Sequence, residues 1–281
     1  MKRLGICLLS LLAATFAFAA KPSVRDIDIT LQLHEDGSAS LTEVWDVSAT
    51  SGTEWYLVRE NLGVIRIQDF TVTDETGLEY TNIGAWDIDR SMQQKAGKCG
   101  MVRKKDGYEL CWGIGSYGDH QFTARYKMTG VVEGFNDYDA VHLQLVSPEL
   151  SSAPGHVKVT VRSDTPFSTI NTRFWGFGFA GTSQFEDGTL VLESSDALKR
   201  DQSVILLIRL NKGLYTPARN YSDDFETRLE QAMDGASFQD DDMQERSFWQ
   251  RLMSVLSTLF FILFWRSEEH TSELQSLAYL V

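Results

Sequence analysis

Two of the three cysteines, Cys99 and Cys111, lie outside the apolar N-terminal stretch. The segment Lys-Lys-Asp-Gly at residues 104–107 has the residue types of a tight hairpin turn. If the flanking strands pair symmetrically about residue 105, the two cysteine side chains face each other. In an exported protein this arrangement predicts a disulfide, which closes a loop of about a dozen residues and stabilises the fold by roughly 3 kcal/mol. A metal site is disfavoured, because two thiols without a C-x-x-C motif do not make a zinc site.

The histidines do not form a recognised metal or catalytic motif. His34, His120, His142 and His156 show neither H-x-x-x-H nor H-E-x-x-H spacing, and the chain has no G-x-S-x-G elbow. His142 lies inside an apolar segment, which is typical of a structural histidine. The carboxylates are abundant, but their positions in the sequence do not pair any two as a glycosidase acid and nucleophile. We therefore predict no catalytic residues, no cofactor and no metal site.

Aromatic residues alternate with glycine in the most unusual stretch of the chain. Phe174, Trp175, Phe177 and Phe179 could fill the core of a β structure, which is the favoured interpretation, because aromatic side chains bury large areas. If they are exposed, they form a stacking platform for a glycan or a peptide and are the best candidate interaction patch.

The densest short group of oxygen ligands is Asn-Asp-Tyr-Asp at residues 136–139. Calcium needs six to eight oxygens, and this segment offers three side chains without the D-x-D-x-D-G pattern. A turn between two strands is therefore favoured over a calcium site.

Most of the residues discussed above lie in or beside predicted short strands. Apolar residues alternate from Ile27 to Leu33, residues 34–37 form a turn signal, and alternation resumes from Ala39 to Val47 with an interruption at Glu43, so a hairpin is predicted. Further strands are predicted at 54–58, 64–73, 78–82, 98–103, 108–113, 120–132, 140–146, 156–162, 189–193 and 203–210. These elements predict a mainly β fold, an elaborated antiparallel immunoglobulin-like β-sandwich over residues 20–213. Two small β domains are the alternative.

The C-terminal part changes character. Residues 221–235 have a helical pattern with Ser222 as a plausible N-cap, and they belong to an acidic helix and linker over 214–247. Residues 222–245 contain nine acidic residues and one basic residue. An uncharged run of 14 residues, 252–265, is shorter than the roughly 20 residues of a spanning helix. We expect residues 248–265 to be the start of a transmembrane helix that is cut short.

The two ends have separate interpretations. Residues 1–19 have the charged start, the apolar centre and the small-x-small end of a secretory signal peptide, with cleavage between Ala19 and Ala20. An uncleaved anchor is the alternative. The segment RSEEHTSELQS after Trp265 resembles the in-frame translation of a sequencing-library adapter, so we expect residues 266–281 to be an artefactual tail. A genuine polar tail after a short interfacial helix is the alternative.

The net charge argues against two classes of binding partner. The chain has 281 residues and a formal charge of −13, from 39 acidic and 26 basic residues. This excess argues against nucleic acid, because binding to DNA needs lysine and arginine to neutralise phosphates. It also argues against adhesion to anionic lipid.

Three segments resemble a known family. They are I-x-I-x-L-x-L-x-x-D-G-S-A-x-L-T-E at residues 27–43, YKMTGVV at 126–132 with the acidic turn and strand that follow, and the strand after Pro154. Together they resemble the predicted bacterial membrane proteins catalogued as domain of unknown function 2207, over residues 24–265. The chain departs from the family in having His142-Leu143 where a Trp-Asn pair is common. The resemblance implies a signal peptide, an extracytoplasmic β domain and membrane helices, and it transfers no activity to particular residues.

The sequence thus predicts a membrane-anchored bacterial envelope protein. Its β domain lies on the periplasmic or extracellular side and acts by binding or scaffolding, not as an enzyme. The expected partners are the membrane, through the C-terminal helix, and an envelope protein or glycan. One alternative is an envelope hydrolase that acts on glycan or peptide through carboxylates that converge only in three dimensions. Another is a structural stalk without a ligand.

Overall fold

The computed structural model describes residues 21–233, of which 54% are in strands and 6% are helical. The prediction of a mainly β fold is confirmed. The two helices are α1 (Met92–Lys95) and α2 (Phe225–Met233). The strands are β1 (Ser23–Leu33), β2 (Ala39–Ala49), β3 (Glu54–Arg59), β4 (Arg66–Thr73), β5 (Thr81–Ala85), β6 (Lys98–Lys104), β7 (Gly107–Gly113), β8 (Gly118–Thr129), β9 (Val132–Gly134), β10 (Asp139–Val146), β11 (His156–Ser163), β12 (Thr172–Phe177), β13 (Gly181–Glu186), β14 (Thr189–Ser194), β15 (Val204–Leu210) and β16 (Arg219–Asn220).

The strands form three sheets. Their orders are β13-β14-β11-β1-β2-β8-β4, β12-β15-β10-β9-β16 and β3-β7-β6-β5. Each sheet contains one parallel pair, namely β1 with β11, β9 with β16 and β5 with β6. The antiparallel part of the sandwich prediction is therefore wrong, because each sheet is mixed, and the immunoglobulin-like arrangement is not confirmed. Side-chain alternation has a period of two in either strand direction, so it does not report whether neighbouring strands run parallel.

The predicted hairpin at the start of the domain is confirmed as β1 and β2. Leu31 pairs with Leu41 and Leu33 with Ala39, and all four side chains are buried. Gly37 in the turn has a φ of +77°, and a Cβ at this position would lie 2.1 Å from the carbonyl oxygen of Thr216. Only glycine fits here, because the turn needs positive φ and close approach to a second segment.

One continuous core joins the three sheets. It contains Ile29 and Phe122 of the seven-stranded sheet, Trp112 of the four-stranded sheet and Leu206 of the five-stranded sheet. The rings of Trp45 and Trp112 meet edge to face at 5.4 Å between centroids and connect two of the sheets. The sheets therefore pack together through aromatic contacts and aliphatic burial.

Helix α2 covers a second, smaller core cluster. Phe225 and Leu229 are buried there with Trp175 and Phe177 of β12. The helix predicted within residues 221–235 is present but begins at Phe225, and the short strand β16 beside β9 ends at Asn220. The cap also differs from the prediction: Asp137 Oδ1, not Ser222, accepts the hydrogen bond of the Phe225 backbone N–H at 2.8 Å.

The structure does not support the predicted disulfide. The register of the β6–β7 hairpin differs by one residue from the symmetric register that was predicted. Lys104 pairs with Gly107, and Cys99 therefore lies opposite Trp112 rather than Cys111. A shift of one residue sends the two cysteine side chains to opposite faces of the sheet. Cys99 and Cys111 are both free, buried thiols. Burial raises the pKa of Cys99 to about 11 and raises the pKa of Cys111 even further.

Several predictions fall outside the described residues. These are the signal peptide at 1–19 with its cleavage site at Ala19 and Ala20, the transmembrane segment at 248–265 and the tail at 266–281. Within residues 21–233, neither helix is long and apolar enough to cross a membrane.

Candidate functional site

A cleft of about 330 Å³ opens where the five-stranded sheet meets the loop between β3 and β4. We call it the arginine cleft, because Arg59, Arg219 and Arg228 contribute to its wall. Its other lining residues are mixed in character. They are Glu60, Asn61, Leu62, Gly63, Val64, Ile65, Met128, Gly130, Val131, Glu133, His142, Leu143, Gln144, Leu145, Ile205 and Tyr221.

The sheet register brings distant parts of the chain to this cleft. Glu133 in β9 pairs with Ala140 in the antiparallel strand β10 and with Arg219 in the parallel strand β16. Helix α2 then follows β16 and supplies Arg228. Apolar residues of the β3–β4 loop, including the exposed Val64, also line the cleft.

Glu133 and Arg228 form the central ion pair of the cleft. Arg228 Nη2 lies 3.0 Å from Glu133 Oε2, and Tyr221 donates a hydrogen bond of 3.0 Å to Glu133 Oε1. The Arg228 guanidinium also stacks over the rings of Phe135 and Tyr221, at 5.6 and 5.4 Å from their centroids. The Arg228 Nε is buried without a hydrogen-bond partner among the described residues. This pair is therefore held by both charge and ring contacts.

Arg219 is placed differently from the other two arginines. Its guanidinium lies 4.6 Å from the centroid of the Tyr221 ring, and the side chain is exposed. Within residues 21–233, no carboxylate is within ion-pair distance of it. Its donors therefore face the cleft and solvent, where an anionic or polar ligand can accept from them.

His142 points from β10 toward the cleft. Burial, with a contribution from the charge of Arg228, lowers its pKa to about 4. The ring is therefore neutral at pH 7. This position agrees with the interpretation of a structural histidine, although its side chain also lines the cleft.

A buried polar network lies behind the cleft. Arg59 Nη2 binds Glu43 Oε1, Arg59 Nε donates to the Tyr126 hydroxyl at 2.7 Å, and that hydroxyl donates to Glu43 Oε1 at 2.5 Å. Trp45 Nε1 donates to Glu43 Oε2 at 3.1 Å. Burial raises the pKa of Tyr126 well above its usual value. The interruption of the apolar alternation at Glu43 was the sequence signal of this network.

The aromatic stretch does not form an exposed patch. Trp175, Phe177 and Phe179 are buried, and Phe174 is half-buried against the main core. The Trp175 ring stacks on Phe225 of α2 at 5.6 Å. The stretch thus packs the core and seats the helix, so it is not available as a stacking platform.

The acidic turn at residues 136–139 anchors the C-terminal segment. Asp137 caps α2, Asn136 Nδ2 donates to the Ser222 carbonyl at 2.6 Å, and Lys212 Nζ lies 3.6 Å from Asp139 Oδ1. Burial raises the pKa of Asp139. Across residues 21–233, no group of three or more histidine, cysteine or acidic residues is placed to hold a metal ion.

Several solved structures are distantly similar to this chain. They include yeast LTA4 hydrolase in complex with bestatin, at 10% identity and a TM-score of 0.40, covering 68% of this chain and 29% of that one. A putative protease from Parabacteroides distasonis has 13% identity and a TM-score of 0.35, covering 68% and 40%. An M1 zinc metallopeptidase from Deinococcus radiodurans has 12% identity and a TM-score of 0.33, covering 66% and 42%. This chain therefore spans less than half of each, and these similarities carry no functional argument.

No curated protein matches the sequence significantly. The sequence profile described as "Predicted membrane protein (DUF2207) N-terminal domain" matches residues 23–204, which include most of the strands described above. The resemblance seen in the hairpin and in the strands around the acidic turn is thereby confirmed. The chain belongs to this family of predicted membrane proteins.

Proposed function

We propose that the chain is a membrane-anchored bacterial envelope protein whose β domain lies on the periplasmic or extracellular side and binds a ligand through the arginine cleft. The family match supports attachment to a membrane. The observation that carries the binding role is the cleft itself, a concave site of about 330 Å³ with mixed apolar and polar walls.

The side chains of the cleft favour an anionic glycan. Arg219 offers a planar set of donors, and Tyr221 offers a ring beside it. Asn61 and Gln144 add amide groups that suit hydroxyl and acetamido groups. Arginine binds a carboxylate or phosphate with two parallel hydrogen bonds, so a sugar that carries an acid is the best match.

Binding fits the cleft better than catalysis. Glu133 already accepts from Tyr221 and faces Arg228, so its two oxygens are engaged. The other carboxylate that lines the cleft is Glu60. A glycosidase needs two available carboxyl groups on either side of the scissile bond.

A direct titration of the full chain in detergent tests this proposal. The probes are a peptidoglycan fragment that contains muramic acid, which carries a carboxylate, and the neutral disaccharide diacetylchitobiose. We expect the acidic fragment to bind the wild type and to bind Arg219→Ala at least fivefold more weakly. Arg200→Ala, which removes an exposed arginine outside the cleft, is the control and should bind as the wild type does. Absence of saturable binding, or equal affinities in the two variants, would contradict the proposal and favour a stalk or a protein partner.

A further inference from the structure

We propose that Ser40, His34 and Asp164 form a nucleophilic site on the exposed face of the seven-stranded sheet, which accepts the acyl group of an activated ester. This goes beyond the binding role and does not depend on the arginine cleft. Ser40 Oγ lies 2.9 Å from His34 Nε2, and His34 Nδ1 lies 3.3 Å from Asp164 Oδ2. The order of hydroxyl, imidazole and carboxylate is that of an activated serine.

The pairing register of the strands determines the relative positions of these three residues. Strands β1 and β11 pair in parallel with Leu33 opposite Ser163, so the residues that follow, His34 and Asp164, leave the sheet side by side. The Asp164 backbone N–H donates to the Leu33 carbonyl at 3.2 Å. The β1–β2 hairpin places Ser40 on the adjacent strand. The site is thus built on sheet and hairpin geometry, which holds side chains more precisely than a long loop does.

The carboxylate of Asp164 sets the tautomer of the imidazole. Gln32 Nε2 donates to Asp164 Oδ1 at 2.9 Å, and this hydrogen bond, helped by the Glu35 backbone N–H, lowers the pKa of Asp164. An ionised carboxylate only accepts hydrogen bonds, so His34 Nδ1 must carry the proton. With its proton on Nδ1, the ring presents the Nε2 lone pair to the Ser40 hydroxyl 2.9 Å away, as a general base requires.

Two other histidines make a useful contrast. His156 Nδ1 lies 2.8 Å from Asp26 and its Nε2 lies 3.3 Å from Glu193. His120 Nδ1 lies 2.9 Å from Glu75, and its Nε2 lies 2.9 Å from the Ser116 carbonyl. His156 Nε2 faces a carboxylate oxygen that can only accept, and His120 Nε2 lies closer to the Ser116 carbonyl than to the Ser116 hydroxyl, which is 3.5 Å away. His34 differs because the nearest partner of its Nε2 is a hydroxyl, which can donate.

The site is open to solvent and has a cation beside it. The His34 side chain is 30% exposed and that of Asp164 is 41% exposed. Lys127 on β8 is the cross-strand partner of Ser40, and directly opposed residues have their Cβ atoms about 5 Å apart. Its ammonium lies 3.6 Å from Asp36 Oδ2 in the turn between β1 and β2, so the lysine charge beside the serine is paired with a carboxylate. Because the site lies on an open face and not in a deep pocket, we expect its substrate to be a small activated ester, such as an aryl ester.

The reaction balances without an oxidant or a metal. Ser40 Oγ bonds to the ester carbonyl carbon while its proton passes to His34 Nε2. The bond from carbon to the leaving oxygen then breaks, and the proton on Nε2 passes to the departing alcohol or phenol. This leaves an ester on Ser40. Attack by water in the same way releases the carboxylic acid and restores the serine.

Labelling of the full chain with a fluorophosphonate tests the proposal, because this probe captures an activated serine by forming a phosphonyl ester with loss of fluoride. Peptide mass spectrometry should find the label on Ser40. The rate should fall at least tenfold in His34→Gln and in Asp164→Asn, and labelling should vanish in Ser40→Ala. His156→Gln is the matched control, since it removes a histidine that faces carboxylates, and its rate should equal that of the wild type.

Two results would overturn the proposal. One is a wild-type chain that takes up label at Ser40 no faster than at its other serines. The other is an unchanged rate in His34→Gln, provided that its thermal melting shows a folded protein. Hydrolysis of 4-nitrophenyl acetate gives a second readout, in which His34→Gln and Ser40→Ala should lose the same fraction of the wild-type rate.

Discussion

Glu43 and Arg59 form an ion pair that is almost completely excluded from water, with 1% and 2% of their side chains exposed. The pair joins β2 of the seven-stranded sheet to β3 of the four-stranded sheet. Tyr126 binds both members, so the charges and hydroxyl form a closed network. Since Arg59 also lines the arginine cleft, this network connects the packing of the sheets to the shape of the proposed binding site.

Breaking the pair should be costly. In Glu43→Gln the arginine keeps its charge in the core without an opposite charge, and loss of one partner of a buried pair costs about 3–5 kcal/mol. We expect a fall of about that size in the free energy of unfolding, measured by chemical denaturation. Asp46→Asn, which removes a partner of the exposed Arg25, is the control and should have little effect. Equal effects in the two variants would show that the buried pair is not a major stabilising contact.

Stability should depend on pH through His142. Its folded-state pKa, about 4, is below the usual 6.5, so between these values the unfolded chain binds a proton that the folded chain does not. Stability is therefore lost as the pH falls from about 6.5 to 4, by at most about 3 kcal/mol from this group. The loss over this range should be smaller in His142→Gln. Parallel curves of unfolding free energy against pH for the two proteins would refute the assignment.

Cys99 and Cys111 should be found as thiols. Burial keeps their pKa values high and their sulfurs away from reagent, so both should react slowly with iodoacetamide in the native protein and fully after denaturation without reductant. Peptide mapping measures the alkylation of each. A disulfide-linked peptide containing both residues would mean that the hairpin register differs from that described.

Asp137 should stabilise helix α2. Its carboxylate accepts the hydrogen bond of the Phe225 backbone N–H, and removal of such a cap costs about 1 kcal/mol. We expect Asp137→Ala to lower the free energy of unfolding by about this amount and to increase amide exchange in residues 225–233. Asp201→Ala, at an exposed turn, is the control. Unchanged exchange in the helix would contradict the role of the cap.

More of the fold than of the candidate sites could be predicted from the sequence. The alternation of apolar and polar residues predicted the β1–β2 hairpin and its buried face, because both depend only on residues that are close together in the sequence. The parallel pairing of β1 with β11 was not visible, since it joins segments more than 120 residues apart in the chain. The register at Cys99 was missed because a shift of one residue in a turn leaves the sequence pattern unchanged.

The candidate sites depend on contacts between distant residues. Arg219 and Glu133 meet only because β16 pairs with β9, and β16 has two residues, which is too short for a periodic signal. Likewise, His34 was visible as a turn residue, while its partner Asp164 is brought beside it by the strand pairing. Glu43, by contrast, could be recognised locally as a charged residue at an inward-facing position of a strand.

The most direct test of the binding role is the affinity of the full chain for the muramic acid fragment when the charge of Arg219 is reversed. Loss of a charge-assisted hydrogen bond costs about 1.5–3 kcal/mol, which corresponds to a tenfold to hundredfold rise in Kd. We predict a rise of at least tenfold in Arg219→Glu, measured by isothermal titration calorimetry, and no change in Arg200→Glu. An Arg219→Glu protein that is folded and binds the fragment as tightly as the wild type would contradict the account.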